Sequence, residues 1–204
     1  MSAGGILTHR LGCELADTFA AIAPVEGTLE YPCNATRSIP IFKIHGNADD
    51  VVPFYGGSGC GPGGNNFTSV NFTLHTLTSL MGCSCQYSPN APCGEVVLTD
   101  GDGICTQYGT CAQGTTVTMC VIQGGGHAWP DAGSQGFIVA PQCNFTTGTF
   151  QATLHIANFF MSIGNGTTTT STSSSSSSGS GLQSWLAFLL AVWEKHPLLF
   201  LGSF

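Results

Sequence analysis

Charge is what this chain most lacks. Only 7% of its 204 residues are charged, and four of them are Lys or Arg. So few cations cannot build a basic patch, which excludes nucleic acid as an expected partner. The formal net charge is −7, so Ser, Thr, Asn, Gln and Gly must supply most of the surface polarity. Long apolar runs are missing too. Leu182 to Trp193 is a candidate, but its twelve residues fall short of the roughly 20 that a spanning helix needs. A pair of matching Cys-x2–4-Cys units is also absent, so Cys83-Ser84-Cys85 does not read as half of a zinc site, and no metal or cofactor is expected. The opening Met1-Ser2-Ala3-Gly4-Gly5 has neither the basic nor the apolar region of a signal peptide.

Cysteine, in contrast, is plentiful. The ten are Cys13, Cys33, Cys60, Cys83, Cys85, Cys93, Cys105, Cys111, Cys120 and Cys143. An even number spread through loops predicts disulfides and an oxidising compartment, with the connectivity left open. Five N-x-[ST] sequons, at Asn34, Asn66, Asn71, Asn144 and Asn165, point the same way, toward a secreted glycoprotein. A secreted chain without a leader is reconciled by an expectation that further sequence lies upstream of Met1.

Residues 1–163 read as folded domain. Ile6, Leu7, Leu11 and Leu15 recur at helical spacing and predict a helix from Ile6 to Asp17. Three short apolar runs, Phe19–Val25, Ile39–Ile44 and Val117–Ile122, each end in a loop carrying Gly. Such runs, separated by helical stretches, predict parallel strands of an α/β sheet. A last helix is expected from Phe150 to Ser162. The cysteine-rich middle, Gly56 to Thr116, predicts a helix near Asn71 to Met81 and otherwise disulfide-tied loops. Residues 164–181 are nearly all Ser, Thr and Gly, too polar to bury a core, and predict a disordered linker. The apolar tail, 182–204, is a candidate GPI-type signal and so a candidate membrane attachment. Glu194-Lys195-His196-Pro197 interrupts it, and the competing explanation is a mispredicted or non-native end.

Three residues can be argued as one site. Ser2 precedes Gly4 at a strand-to-helix turn, the second half of a G-x-S-x-G nucleophile elbow. Asp49 follows the Ile39–Ile44 run, and His127 follows the run that ends at Ile122. The chain order Ser, Asp, His is that of α/β-hydrolases, and strand ends are where the loops of such sheets build a site. A hydroxyl needs a base to become a nucleophile. His127 would take that proton, Asp49 would fix its tautomer, and the Ala3 N–H would face the oxyanion. Singly, each residue has a plain explanation: Ser2 and the glycines as loop, Asp49 as a turn residue, His127 as a loop histidine packed on Trp129. Asp50 rivals Asp49 as the acid. His9, His45, His75, His155 and His196 read as structural or surface residues.

These segments resemble one family. Met1 to Gly5, Leu11 to Gly27, Ile44 to Asp49, and Gly124-Gly125-Gly126-His127-Ala128-Trp129-Pro130 look like secreted esterases that include feruloyl esterases, acetylxylan esterases and polyhydroxybutyrate depolymerase-like proteins. The resemblance covers residues 1 to about 160, with a poor match in the cysteine-rich middle. It implies an α/β-hydrolase fold, no metal, and ester hydrolysis through an acyl-serine, with Ser2 as nucleophile, His127 as base and Asp49 as acid. It further implies an ester-bearing polysaccharide or polyester as substrate.

The family's first strands, its second oxyanion donor and the first elbow Gly have no counterpart in these residues. The expectation is therefore a domain truncated at the elbow, poorly folded and inactive by itself. A serine peptidase of prolyl-oligopeptidase type and a non-catalytic glycosylated surface protein are the competing readings. Oligomeric state is not legible.

Overall fold

The computed structural model describes residues 1–61, 64–91, 93–132 and 142–165. All of them fall in one compact unit, Met1–Thr167. The tail, His196, and most of the expected linker lie outside the described residues. Among the described residues, no helix is long and apolar enough to cross a membrane.

The chain starts with helix α1, Ala3–Glu14. It begins three residues before the predicted start, and its buried face is not the leucine stripe. Gly5, His9, Gly12 and Cys13 face inward, whereas Leu7 and Leu15 are 52% and 44% exposed. Small residues win that face because neighbouring chain comes very close. A Cβ on Gly5 would strike the Val25 carbonyl, and one on Gly12 would sit 2.6 Å from Ile22.

Residues 22–25 then run parallel to strand β1, Ile41–Gly46, through bridges Ile22–Ile41 and Val25–Ile44. Strand β1 is buried along its whole length. Alternation along it sends Ile41, Lys43 and His45 to one face and Phe42 and Ile44 to the other. A short antiparallel ribbon follows, β2 (Gly57–Ser58) with β3 (Asn66–Phe67). Helix α2, Val70–Leu80, starts at Ser69, whose hydroxyl caps the Phe72 N–H at 3.0 Å.

The cysteine-rich middle is more regular than predicted. It holds an antiparallel hairpin, β4 (Glu95–Asp100) and β5 (Gly103–Gln107). Its two-residue turn is Gly101-Asp102, with Gly101 at φ 53°. Gly at the first position of a two-residue turn is a hairpin signal. It was hidden because β4 is mostly exposed and lacks clean alternation. Strand β6, Val117–Ile122, pairs parallel with β1 and antiparallel with β5. The sheet order is β1-β6-β5-β4. The sheet is therefore mixed rather than wholly parallel, and the domain is α/β.

Helix α3, Ala152–Asn165, closes the described chain. It overruns the predicted end at Ser162 and enters the stretch expected to be linker. Two cores flank the sheet. One packs Val70, Leu74, Leu77 and Met81 of the α2 region on Ile41, Val117 and Met119. The other gathers Phe42, Ile44, Ile122 and Phe150, with Phe159 of α3 stacked on Phe42 at 5.4 Å.

All ten cysteines pair: Cys13–Cys33, Cys60–Cys143, Cys83–Cys111, Cys85–Cys93 and Cys105–Cys120. Such a set fits an oxidising, extracellular setting.

Candidate active site

Ser2, Asp49 and His127 converge, although 125 residues separate the first and last. Ser2 Oγ lies 2.8 Å from His127 Nε2, and His127 Nδ1 lies 2.8 Å from Asp49 Oδ2. Ser2 sits directly before α1 at φ 57° and ψ −129°. A side chain seldom adopts that left-handed backbone without a compensating need. Its N–H is held by the Val25 carbonyl at 3.0 Å, and its own carbonyl accepts the first helical bond, from the Ile6 N–H at 3.0 Å. The Ala3 N–H thus belongs to the first turn, whose donors have no acceptor inside the helix and carry its positive end.

Asp49 belongs to the loop after β1. Its Oδ1 accepts the N–H groups of Val51 and Val52 at 2.9 and 3.0 Å. Its Oδ2 faces both His127 Nδ1 and His45 Nε2, the latter at 3.2 Å. Every acceptor direction of the carboxylate is used. Burial alone pushes its pKa up, but the hydrogen bonds from His127 and His45 outweigh that and hold it below the ordinary value.

The loops that carry Asp49 and His127 are sewn together. Asn47 N–H and Ala48 N–H donate to Ile122 O and Gly125 O at 3.0 and 2.9 Å. Gly46 has no room for a Cβ, because the Gly125 backbone passes there. A third segment, 142–146, locks the His loop. His127 N–H donates to Asn144 O at 2.7 Å, and Gly126 N–H to Thr146 O at 2.8 Å. Asp50 is turned away from His127. Its Oδ1 instead accepts the Asn144 N–H at 2.8 Å, and Asn144 Nδ2 reaches Ala48 O at 3.0 Å. The Cys60–Cys143 disulfide braces the same corner. Trp129 does not pack on His127 as one plain reading had it. Phe145 approaches the imidazole edge-on at 6.3 Å, and the indole N–H goes to Thr153 Oγ1.

Behind the three residues lies a buried polar layer that sequence reasoning missed. Lys43 is fully buried, donates to the Gly27 carbonyl, and faces His45 Nδ1 at 3.3 Å. His45 Nε2 then reaches Val52 O at 2.9 Å and Asp49. Burial pulls Lys43 down to about 7, against the pull of Asp49 and Glu26. Burial and Lys43 also lower His45 and His9. Neither ring nitrogen of His9 has a hydrogen-bond partner. Glu26, 1% exposed, places Oε2 at 3.6 Å from His127 Nδ1. The available signal was scarcity: in a chain with four cations, one lies in the middle of an apolar run, Ile41-Phe42-Lys43-Ile44. Of the other histidines, His155 bonds Asp100 at 2.9 Å, and His75 faces the Tyr87 carbonyl at 3.0 Å.

Two groups among the described residues have the composition of metal ligands, Glu26-Asp49-His127 and Asp50-Cys60-Cys143. The second is committed elsewhere, because both thiols are in one disulfide. In the first, Asp49 and His127 already bond each other. Beside Ser2 opens a cavity of about 300 Å³, walled by Ala3, Ile6, Val51, Val52, Gly59, Asn65 and Phe67. Its wall is mostly apolar, with the Ser2 hydroxyl at one side.

No family profile matches the chain. Individual proteins do. Over 138 residues, 64% of this chain, it is 31% identical to a feruloyl esterase B of Piromyces equi, covering 24% of that protein. It is 31% identical over 144 residues to a candidate esterase, NocK, of Nocardia uniformis subsp. tsuyamanensis, covering 40% of it. It is 27% identical over 130 residues to the bifunctional acetylxylan esterase/xylanase XynS20E of Neocallimastix patriciarum, covering 17% of it. The chain thus spans well under half the length of these relatives, and the resemblance it carries is to esterases.

Proposed function

We propose that this chain carries the catalytic centre of a secreted serine carboxylic-ester hydrolase with an α/β-hydrolase fold. The observation behind that reading is the unbroken run from Ser2 Oγ through His127 to Asp49, with both contacts at 2.8 Å. His127 Nε2 would take the Ser2 proton as the oxygen attacks the ester carbonyl. Asp49, accepting from Nδ1–H, keeps Nε2 free to act as that base and balances the imidazolium. The Ala3 N–H, at the positive end of α1, would face the tetrahedral oxyanion. His127 then returns its proton to the departing alcohol, leaving an acyl-serine that water cleaves by the same steps reversed.

The apolar cavity beside Ser2 would hold the acyl group, and its size suits an acetyl or a single-ring aromatic acyl chain. The names of the relatives put feruloyl and acetyl esters of polysaccharide first among substrates to try. Among the described residues Ala3 is the one backbone donor set for the oxyanion. Removal of one such donor costs on the order of 10²–10³ in rate. A fluorophosphonate probe followed by peptide mapping tests the reading. Labelling at Ser2, lost in Ser2→Ala, is the expected result; an unlabelled Ser2 in folded protein overturns it.

A further inference from the structure

Among the described residues, the carboxyl group of Glu26 is a buried charge-bearing group beside His127 that the acyl-transfer scheme leaves idle. It is 1% exposed, and Oε2 has no hydrogen-bond partner. A buried carboxyl oxygen without a donor is costly, and a native chain keeps one only against some return. That oxygen lies 3.6 Å from His127 Nδ1, the atom that Asp49 holds at 2.8 Å. One oxygen of each carboxylate and the ring nitrogen all lie within 4.8 Å of one another.

The backbone puts Glu26 there under strain. Its φ is 46°, a left-handed value uncommon for a side chain of this kind. The residue is gripped on both sides: its N–H bonds Ile44 O at 2.9 Å, and Gly27 presses on the backbone of Gly5 and Ile6. Glu26 therefore stands between the nucleophile turn and the histidine loop, aimed at the imidazole.

We propose that Glu26 is a positioning residue of this site, a second carboxyl partner for the His127 Nδ1–H that stands beside Asp49 and can hold the ring in its place. Two carboxylates this close cannot both ionise cheaply. Burial first, and then Asp49, push Glu26 well above the usual carboxylate range, while the Ala128 N–H and Lys43 pull the other way. The directions of the two shifts favour Asp49 as the charged partner and Glu26 as the protonated one. The imidazolium formed during acyl transfer then meets two carboxyl groups rather than one. This inference rests on the serine-esterase reading.

The test is the rate of Ser2 labelling by a fluorophosphonate across pH, in the wild-type protein, Glu26→Gln, Asp49→Asn and the double variant. Glu26→Gln alone should stay within about threefold near neutral pH, because Gln mimics the protonated acid. In the Asp49→Asn background, the same change should cost at least tenfold more. The single Asp49→Asn protein should also show a one-proton gain in rate with rising pH beyond any rise it shares with the double variant, as Glu26 ionises and accepts from Nδ1. An equal loss from Glu26→Gln in both backgrounds means packing only and overturns the proposal. If the double variant does not fold, Asp49→Asn is compared with Glu26→Gln, and pH profiles of the same shape overturn the proposal. A folded wild-type protein unlabelled at Ser2 sinks the esterase reading itself. Labelling that proceeds without coupling between the two carboxyl groups sinks only the role of Glu26.

Discussion

The loop after β1 and the turn at 25–27 each bring a carboxyl group to the same nitrogen of His127, at 2.8 and 3.6 Å. Their surroundings differ sharply. Asp49 meets two backbone N–H groups and two imidazoles, so it stays charged although it is buried. Glu26 meets no donor at Oε2 and is pushed toward its neutral form. The lesson is that residue type and proximity do not assign a role at a buried site. The supply of donors decides which carboxyl keeps its charge.

Several substitutions would break or sharpen that contrast. Ser2→Ala removes the proposed nucleophile and should abolish labelling, with ester turnover down by about 10⁴-fold or more. Asp49→Asn keeps the shape but replaces an acceptor with an amide, favouring the wrong imidazole tautomer. A loss on the order of 10³–10⁴ in kcat is expected, short of the serine variant. If Asp50→Asn lost as much, the assignment of the acid would be reversed.

Lys43 probes the layer behind the two carboxyls. Its folded value of about 7 lies below the ordinary 10.5, so between those values the unfolded chain binds more protons. Stability from this group must then rise with pH across that window. Relative to Lys43→Met, the wild-type protein should gain up to about 1.4 kcal/mol per pH unit from pH 7 toward 10. Denaturant melts of both proteins at several pH values measure it, and a flat difference would mean that the ammonium is not buried.

The smallest effect belongs to the clamp. Asp50→Ala leaves the Asn144 N–H without its acceptor and should cost about 1–2 kcal/mol of stability, with less than tenfold in kcat. A larger kinetic loss would show that the histidine loop depends on this one bond more than on the rest of its ties.

Much of this site could be read from sequence because its parts sit on local signals. The Ser-x-Gly turn, the Asp after a strand and the Gly-Gly-Gly-His loop each announce themselves, and their order ties them together. The parallel runs at 22–25, β1 and β6 were legible from apolar composition and following glycines. The α1 register was not, because glycines rather than leucines make its buried face, and close backbone approach leaves no hydrophobic mark. The β4–β5 hairpin leaves little apolar signal, because β4 is mostly exposed. The Glu26, Lys43 and His45 layer could not be assembled from spacing. Those residues meet only through pairing of 22–25 with β1, and each reads singly as an ordinary strand residue.

The corner formed by Cys60–Cys143, Asp50 and Asn144 couples the order of the site to the history of the chain. The bond spans 83 residues and ties the region beyond the acid loop to the segment that seats the histidine. Until it closes, the imidazole has lost one of its anchors. On the proposed reading, the segment that seats the imidazole is fully tied only where oxidation has closed Cys60–Cys143.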